Sequence, residues 1–152
     1  MNIRLATSAD AETIAQQRDA MFVDMGEAAE KLARVHDSSL AWHRRALESG
    51  LYTGFLAETD GEIVGGAGLL WQDLPPNPDT DLDVRGYVMN VYVRPDQRGQ
   101  GLARRLLERV LDECAAHGVT QVSLHASEAG RPLYEKLGFK PTNEMKLKVE
   151  RP

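Results

Sequence analysis

The sequence predicts a single mixed α/β layer structure over residues 1–152. Three observations carry that reading. Runs that alternate apolar and polar residues, as strands do, are interleaved with stretches of helical period. Asp60-Gly61, a hairpin signal, joins two of the strand-like runs. The stretch from Gly86 to Ala126 reads strand, loop, helix, strand, which is the pattern of a right-handed parallel crossover.

Taken in order, residues 2–6 alternate as a strand. Thr7-Ser8-Ala9-Asp10 is a helix-start cluster with Ser8 or Asp10 at the N-cap, and a helical pattern follows through Ile14, Arg18, Met21 and Phe22 until Gly26 breaks it. Residues 28–48 read as a second helix, with Leu32, Val35, Leu40, Trp42 and Leu47 on its apolar face and Gly50 at its end. Tyr52–Glu58 and Glu62–Trp71 are the hairpin strands. Gly65, Gly66 and Gly68 inside the second of them predict a bulge or a close neighbour. Three prolines and four aspartates make residues 72–85 a polar loop. Gly86–Val93 is strand-like, and residues 100–117 form the clearest helix, with Leu102, Leu106, Val110 and Cys114 on one stripe. Val119–Ala126 reads as a strand, Gly130–Leu137 as a short helix that tolerates Pro132 in its first turn, and Met145–Val149 as a last alternating strand. The order is β-α-α-β-β-β-α-β-α-β around a mixed central sheet.

Composition narrows the function classes. A net charge of −5 argues against nucleic acid as a partner, because phosphate backbones require a basic surface. Cys114 is the only cysteine, so neither an internal disulfide nor a cysteine-based zinc site is available and no metal is expected. It lies among apolar helix positions, which makes it a buried structural thiol rather than a nucleophile. The N-terminus has no apolar leader and no stretch reaches the length of a membrane span; a reducing, cytoplasmic setting without membrane contact is the expectation.

The chemistry concentrates in Val91-Tyr92-Val93-Arg94-Pro95-Asp96-Gln97-Arg98-Gly99-Gln100-Gly101-Leu102-Ala103-Arg104. A strand ends, a loop with two glycines follows, and a helix begins. The first amides of a helix lack internal acceptors and sit at the positive end of its dipole, while glycine lets backbone approach a pyrophosphate closely. Arg98 and Arg104 stand ready to add charge. A P-loop requires Lys-Ser or Lys-Thr after its second glycine, and the sequence has neither. The spacing Gly99, Gly101, Arg104, two-thirds along the chain, also departs from the dinucleotide fingerprint G-x-G-x-x-G near a first strand.

Arg98-Gly99-Gln100-Gly101-Leu102-Ala103 resembles the (Q/R)-x-x-G-x-(G/A) acetyl-CoA signature of the GNAT (Gcn5-related N-acetyltransferase) superfamily. Val91-Tyr92-Val93-Arg94-Pro95 is similar to that family's central strand, and Leu133-Tyr134-Glu135-Lys136-Leu137-Gly138-Phe139 to its L-Y-x-K-x-G-F segment. The resemblance runs from Ile3 to about Val149. It implies an N-acetyltransferase that moves the acetyl group of acetyl-CoA to an amine. The implied cofactor contacts are the backbone of Val91 and Val93, with Asn90 or Tyr92 close by, for the pantetheine arm and acetyl group. The loop amides of Arg98, Gly99, Gln100, Gly101, Leu102, Ala103 and Arg104 would hold the pyrophosphate. Tyr134 is the implied general acid, protonating the departing thiolate. Ser127 stands where many relatives carry an asparagine that contacts pantetheine, and Gly130 where they carry alanine. A homodimer is common among such relatives.

The amine must arrive neutral, and Tyr87, Asn90, Asp83 and Glu27 are candidates for the base by location only; His125 reads as a structural histidine. Asp24, Glu27 and Glu30, with Asp73, Asp79, Asp81 and Asp83, either attract a cationic amine or form a solvated acidic surface. A non-catalytic acyl-CoA-binding or sensor module on the same fold is the alternative function.

Overall fold

The computed structural model describes residues 1–152. Five strands form one sheet in the order β1 (Asn2–Leu5), β2 (Tyr52–Thr59), β3 (Glu62–Asp73), β4 (Val84–Val93) and β5 (Val122–Leu124). Neighbours are antiparallel except β4 and β5, which run parallel across the crossover helix. The helices are α1 (Ala11–Asp24), α2 (Ala29–Ser49), α3 (Leu102–Ala116) and α4 (Arg131–Lys136). Single turns of 3-10 helix, Ser8–Asp10 and Pro95–Gln97, lead into α1 and into the glycine loop.

Strand alternation divides the sheet between two cores. Phe55, Ala57, Ala67, Leu69 and Val88 point to one face, where they pack with Leu106, Leu107, Val110 and Cys114 of α3 and with Tyr134 of α4. Tyr52 and Leu56 point to the other, against Ile14 of α1 and Ala46 of α2. Burying each α3 leucine or valine contributes about 1.5–3 kcal/mol. Burial pushes the Cys114 thiol up to about 11, consistent with an inert structural residue.

The glycines of β3 are explained by close neighbours. A Cβ at Gly68 would lie 1.9 Å from the Tyr52 hydroxyl oxygen, and one at Gly66 would lie 2.4 Å from Gln17 Oε1. Asp60 and Gly61, both at positive φ, make the hairpin turn. The entry to α1 is fixed by Asp10, which accepts the Thr7 amide at 2.8 Å and both amino groups of Arg4 at 2.9 Å. Arg4 also donates to Glu58 at 2.6 Å, clamping β1, β2 and the helix start together.

Two terminal elements differ from expectation. The strand after α3 is only Val122–Leu124, shorter than Val119–Ala126. Met145–Val149 does not form a strand: Met145, Leu147 and Val149 are 93, 85 and 80% exposed. Alternation specifies which side chains would face inward, but a ladder also needs a partner edge, and a three-residue β5 offers little to pair with.

Replacing Gly68 by alanine is expected to cost about 2–3 kcal/mol through overpacking against the Tyr52 ring, read as a lower denaturant midpoint at unchanged m-value. The Arg4 guanidinium holds the Asp10 carboxyl below its ordinary range. The group is depressed in the folded state, so its contribution is complete above the unfolded value near 4 and disappears as pH falls through the lowered one. Asp10→Asn is expected to remove about 1 kcal/mol at neutral pH, allowing for solvent screening at the partly exposed Arg4, and to flatten the acid limb of the stability profile.

Candidate active site

The site begins with an irregularity in β4. Gly66 pairs with Tyr92 and Gly68 with Met89, so Ala67 faces two residues, Asn90 and Val91, across a β-bulge. Asn90 has φ +59°, a left-handed conformation that asparagine tolerates better than most residues. Three groups hold its side chain: His43, Tyr52 and Arg18. His43 Nδ1 lies 2.7 Å from the Ser39 carbonyl, which can only accept, so Nδ1 carries the proton and Nε2 is left to accept. Asn90 Nδ2 donates to His43 Nε2 and to the Tyr52 hydroxyl, both at 3.0 Å. Asn90 Oδ1 accepts from Arg18 at 2.8 Å. Burial lowers the His43 pKa, which keeps the ring neutral and able to accept, and pushes the Tyr52 hydroxyl up to about 12.

The bulge marks where β4 parts from β5. Pairing between the two is confined to Gly86–Val88 with Val122–Leu124. Farther along, the Arg94 amide donates to Val64 on the β3 side. Alternation therefore turns the peptide groups of Val93 and Val91 to the opposite side, where no strand follows. Arg98 Nε caps the Val93 carbonyl at 2.8 Å. Val91 and Val93 thus turn their peptide groups to the open edge, with Tyr92 facing β3 between them.

The glycine loop turns the chain from this edge into α3. Gly99 and Gly101 both have φ +79°, and Gly101 is the N-cap of the helix. The first helical bond is Arg105 N–H to the Gly101 carbonyl, and the Arg98 amide closes the preceding turn on Pro95. The consecutive amides of Gly99, Gln100, Gly101, Leu102, Ala103 and Arg104 have no acceptor in the protein. They form an unspent row of donors at a helix N-terminus, the arrangement that binds anions.

The arginine side chains do something other than expected. Arg98 bonds Asp24 at 2.6 Å as well as Val93, tying the loop to the end of α1, and Arg104 pairs with Glu108 one turn along its own helix. Neither guanidinium is engaged with the anion site, whose positive character comes from the backbone.

Tyr134 packs in the core beneath α3, 9% exposed, with its ring set edge-on to Phe139. Its hydroxyl makes no hydrogen bond within the protein and is not enclosed, since no fully buried side-chain oxygen lacks a partner. Burial raises its pKa, so the phenol carries its proton at neutral pH. The Gly130 departure has a local reason: a Cβ there would meet the Tyr134 ring at 2.8 Å. Ser127 Oγ accepts the Gly130 amide at 3.1 Å and so starts α4. A cleft of about 880 Å³ runs between β5, α4 and the C-terminal segment, with Tyr87, Leu124, His125, Tyr134 and Phe139 among its walls.

Of the polar candidates, Asp79, Asp81 and Asp83 lie on an exposed loop, Asp73 is the exposed last residue of β3, and Asp24 is engaged by Arg98. Trp42 and Trp71 pack rather than line the cleft; Trp71 donates to Thr53 at 2.9 Å and stacks on His117. Sequence reasoning passed over Arg18 and His43. Both appear there as ordinary helix residues, and only the bulge brings them together. Tyr87 and His125 face each other across β4 and β5, with the Tyr87 hydroxyl against His125 Nδ1 and Glu144 3.7 Å from Nε2. No cluster of three or more His, Cys, Asp or Glu side chains is arranged to hold a metal ion, and no helix is long and apolar enough to cross a membrane.

Known proteins share this frame. A family model described as the acetyltransferase (GNAT) domain matches residues 22–149. The glucosamine 6-phosphate N-acetyltransferase of Trypanosoma brucei brucei is 32% identical over 120 residues, 78% of each chain. The L-amino acid N-acyltransferase MnaT of Escherichia coli K12 is 28% identical over 149 residues, 95% of this chain and 83% of its own. A GCN5-related N-acetyltransferase from Ralstonia eutropha JMP134 superposes with a TM-score of 0.93 at 36% identity, covering 97% of both chains. A predicted acetyltransferase from Clostridium acetobutylicum, solved with acetyl-CoA, gives 0.90 at 28% identity over 98% of this chain and 95% of that one. With the family model spanning most of its length and relatives of this kind on both sequence and structure, the chain belongs to the GNAT family as an acetyl-CoA-dependent N-acetyltransferase.

Proposed function

We propose that the enzyme acetylates a primary amine by direct attack on the thioester, with Tyr134 as the general acid. The observation that carries the acid role is a tyrosine that is buried, protonated and without a hydrogen-bond partner in the protein. Such a phenol is free to donate to a departing thiolate.

The pyrophosphate of acetyl-CoA sits on the amides of Gly99 to Arg104, with Arg98 anchoring the loop from behind. The pantetheine arm continues the sheet along the free edge of Val91 and Val93, as an added strand would. The amine attacks the carbonyl carbon, the bond to nitrogen forms, and negative charge develops on the oxygen, where a β4 amide stabilises it. The C–S bond then breaks, the sulfur takes the Tyr134 proton, and the proton that the attacking nitrogen must lose passes to solvent, which reprotonates the phenol. Ser127 uses its oxygen as an acceptor within the chain, which leaves the hydroxyl proton for the pantetheine. A reducing, cytoplasmic setting fits the lone thiol of Cys114. A homodimer would cover the exposed apolar side chains of Met145, Leu147 and Val149.

Tyr134→Phe is expected to lower kcat about 100-fold or more while acetyl-CoA affinity stays within a few-fold. An unchanged kcat would dispose of the acid role. At Gly101 a Cβ would have no protein atom within 4 Å, so Gly101→Val places a side chain in open space on a left-handed residue beside the amide row. Calorimetry is expected to show acetyl-CoA binding weakened at least about tenfold in a variant that still folds. Equal affinity would remove the pyrophosphate from this loop.

A further inference from the structure

Five arginines are drawn at least partly out of solvent: Arg4, Arg18, Arg85, Arg94 and Arg109. Arg4, Arg94 and Arg109 each have a carboxylate partner. Arg85 is satisfied by the carbonyls of Leu82 at 2.9 Å and Pro75 at 2.6 Å. Arg18 differs. Its hydrogen bonding within the protein is one NH1 contact to the neutral Asn90 side chain, and its guanidinium carbon lies 4.7 Å above the Phe22 ring. Asp19, the adjacent carboxylate, is turned to His36 at 2.6 Å.

An arginine has five N–H donors and cannot shed its charge, so withdrawing one from water without an anion is costly. Burial already pulls the Arg18 pKa down from its ordinary value. The protein nevertheless orients this group with care. His43 and Tyr52 fix the Asn90 amide, and Asn90 in turn fixes NH1. The place it is held matters equally. Asn90 is the bulge residue, and Val91, the first residue of the open edge, follows it at the roughly 3.8 Å spacing of neighbouring Cα atoms. Arg18 therefore stands beside the reacting end of the edge, on the face of the sheet that carries α1 and α2.

We infer that Arg18 binds an acidic group of the amine substrate, so that the acceptor is a small amine carrying a carboxylate or a phosphate near its nitrogen. The inference rests on the acetyl-transfer reading and adds the substrate class. The planar fork matches either oxyanion with two parallel bonds, which places the neighbouring amine at the bulge. The acidic loop of Asp79, Asp81 and Asp83 is in this view a solvated surface, and substrate recognition runs with the opposite sign of charge.

Paired substrates differing only in the acid test the assignment: L-alanine against L-alaninamide for a carboxylate, and phosphoethanolamine against ethanolamine for a phosphate. Wild-type protein is expected to favour the acidic member of one pair by about tenfold or more in kcat/KM, and the responding pair identifies the oxyanion. Arg18→Gln is expected to abolish that preference through KM, and Arg18→Lys to restore part of it. The acetyl-CoA KM should be unmoved in both variants, and Tm should report their folding. Equal use of both members in each pair overturns the inference, as does an Arg18→Gln loss that falls equally on acid and neutral amines. Calorimetry of L-alanine and phosphoethanolamine on the coenzyme A-loaded protein separates this from the parent reading. Without turnover of any amine the transfer mechanism falls alone, while binding of an acid that Arg18→Gln abolishes still supports the anchor. Binding that is absent, or indifferent to Arg18→Gln, overturns it.

Discussion

The site depends on one extra residue in β4. A regular strand would have continued its ladder with β5 and closed the sheet. The bulge at Asn90 and Val91 lets the two strands separate after Val88, and an edge opens in the middle of the molecule. Open edges inside folded domains are a hazard because their peptide groups pair with whatever strand they meet. Here the edge is short and capped at one end by Arg98, and it runs straight into the free amides of the α3 N-terminus. Strand and loop together form one continuous row of backbone donors and acceptors.

Keeping a bulge in register takes support from elsewhere in the fold. The left-handed Asn90 is held through its side chain by α1, α2 and β2, three elements far apart in sequence. Gly68 belongs to the same device, because the Tyr52 ring occupies the volume that any larger residue there would need. In a chain of net negative charge, the helix-start amides of this loop supply local positive potential without lysine or arginine.

Much of this was legible in the sequence. The periodicity of α3, the Asp60-Gly61 hairpin and the loop glycines each have a local cause, and each appears where its residues predict. The β3 glycines announced crowding but not its source, since Tyr52 and Gln17 approach from other elements. Arg18 and His43 carried no signal, because a lone basic residue on an amphipathic helix resembles any solvated one. The polar network exists only once β4 bulges, and asparagine is the faint trace of that in the chain. The Met145–Val149 strand failed for the converse reason. Its pattern was sound locally, but pairing is a property of two segments.

The single thiol of the chain has a practical consequence. Cys114 lies on the buried face of α3 against Gly86 of β4, 2% exposed, with its ionisation suppressed. Attack on a disulfide reagent needs an accessible thiolate, so the folded enzyme is silent toward chromogens of that type. Every equivalent of colour developed during turnover then belongs to liberated coenzyme A, and even a single round at enzyme-scale concentrations can be followed without correcting for the catalyst.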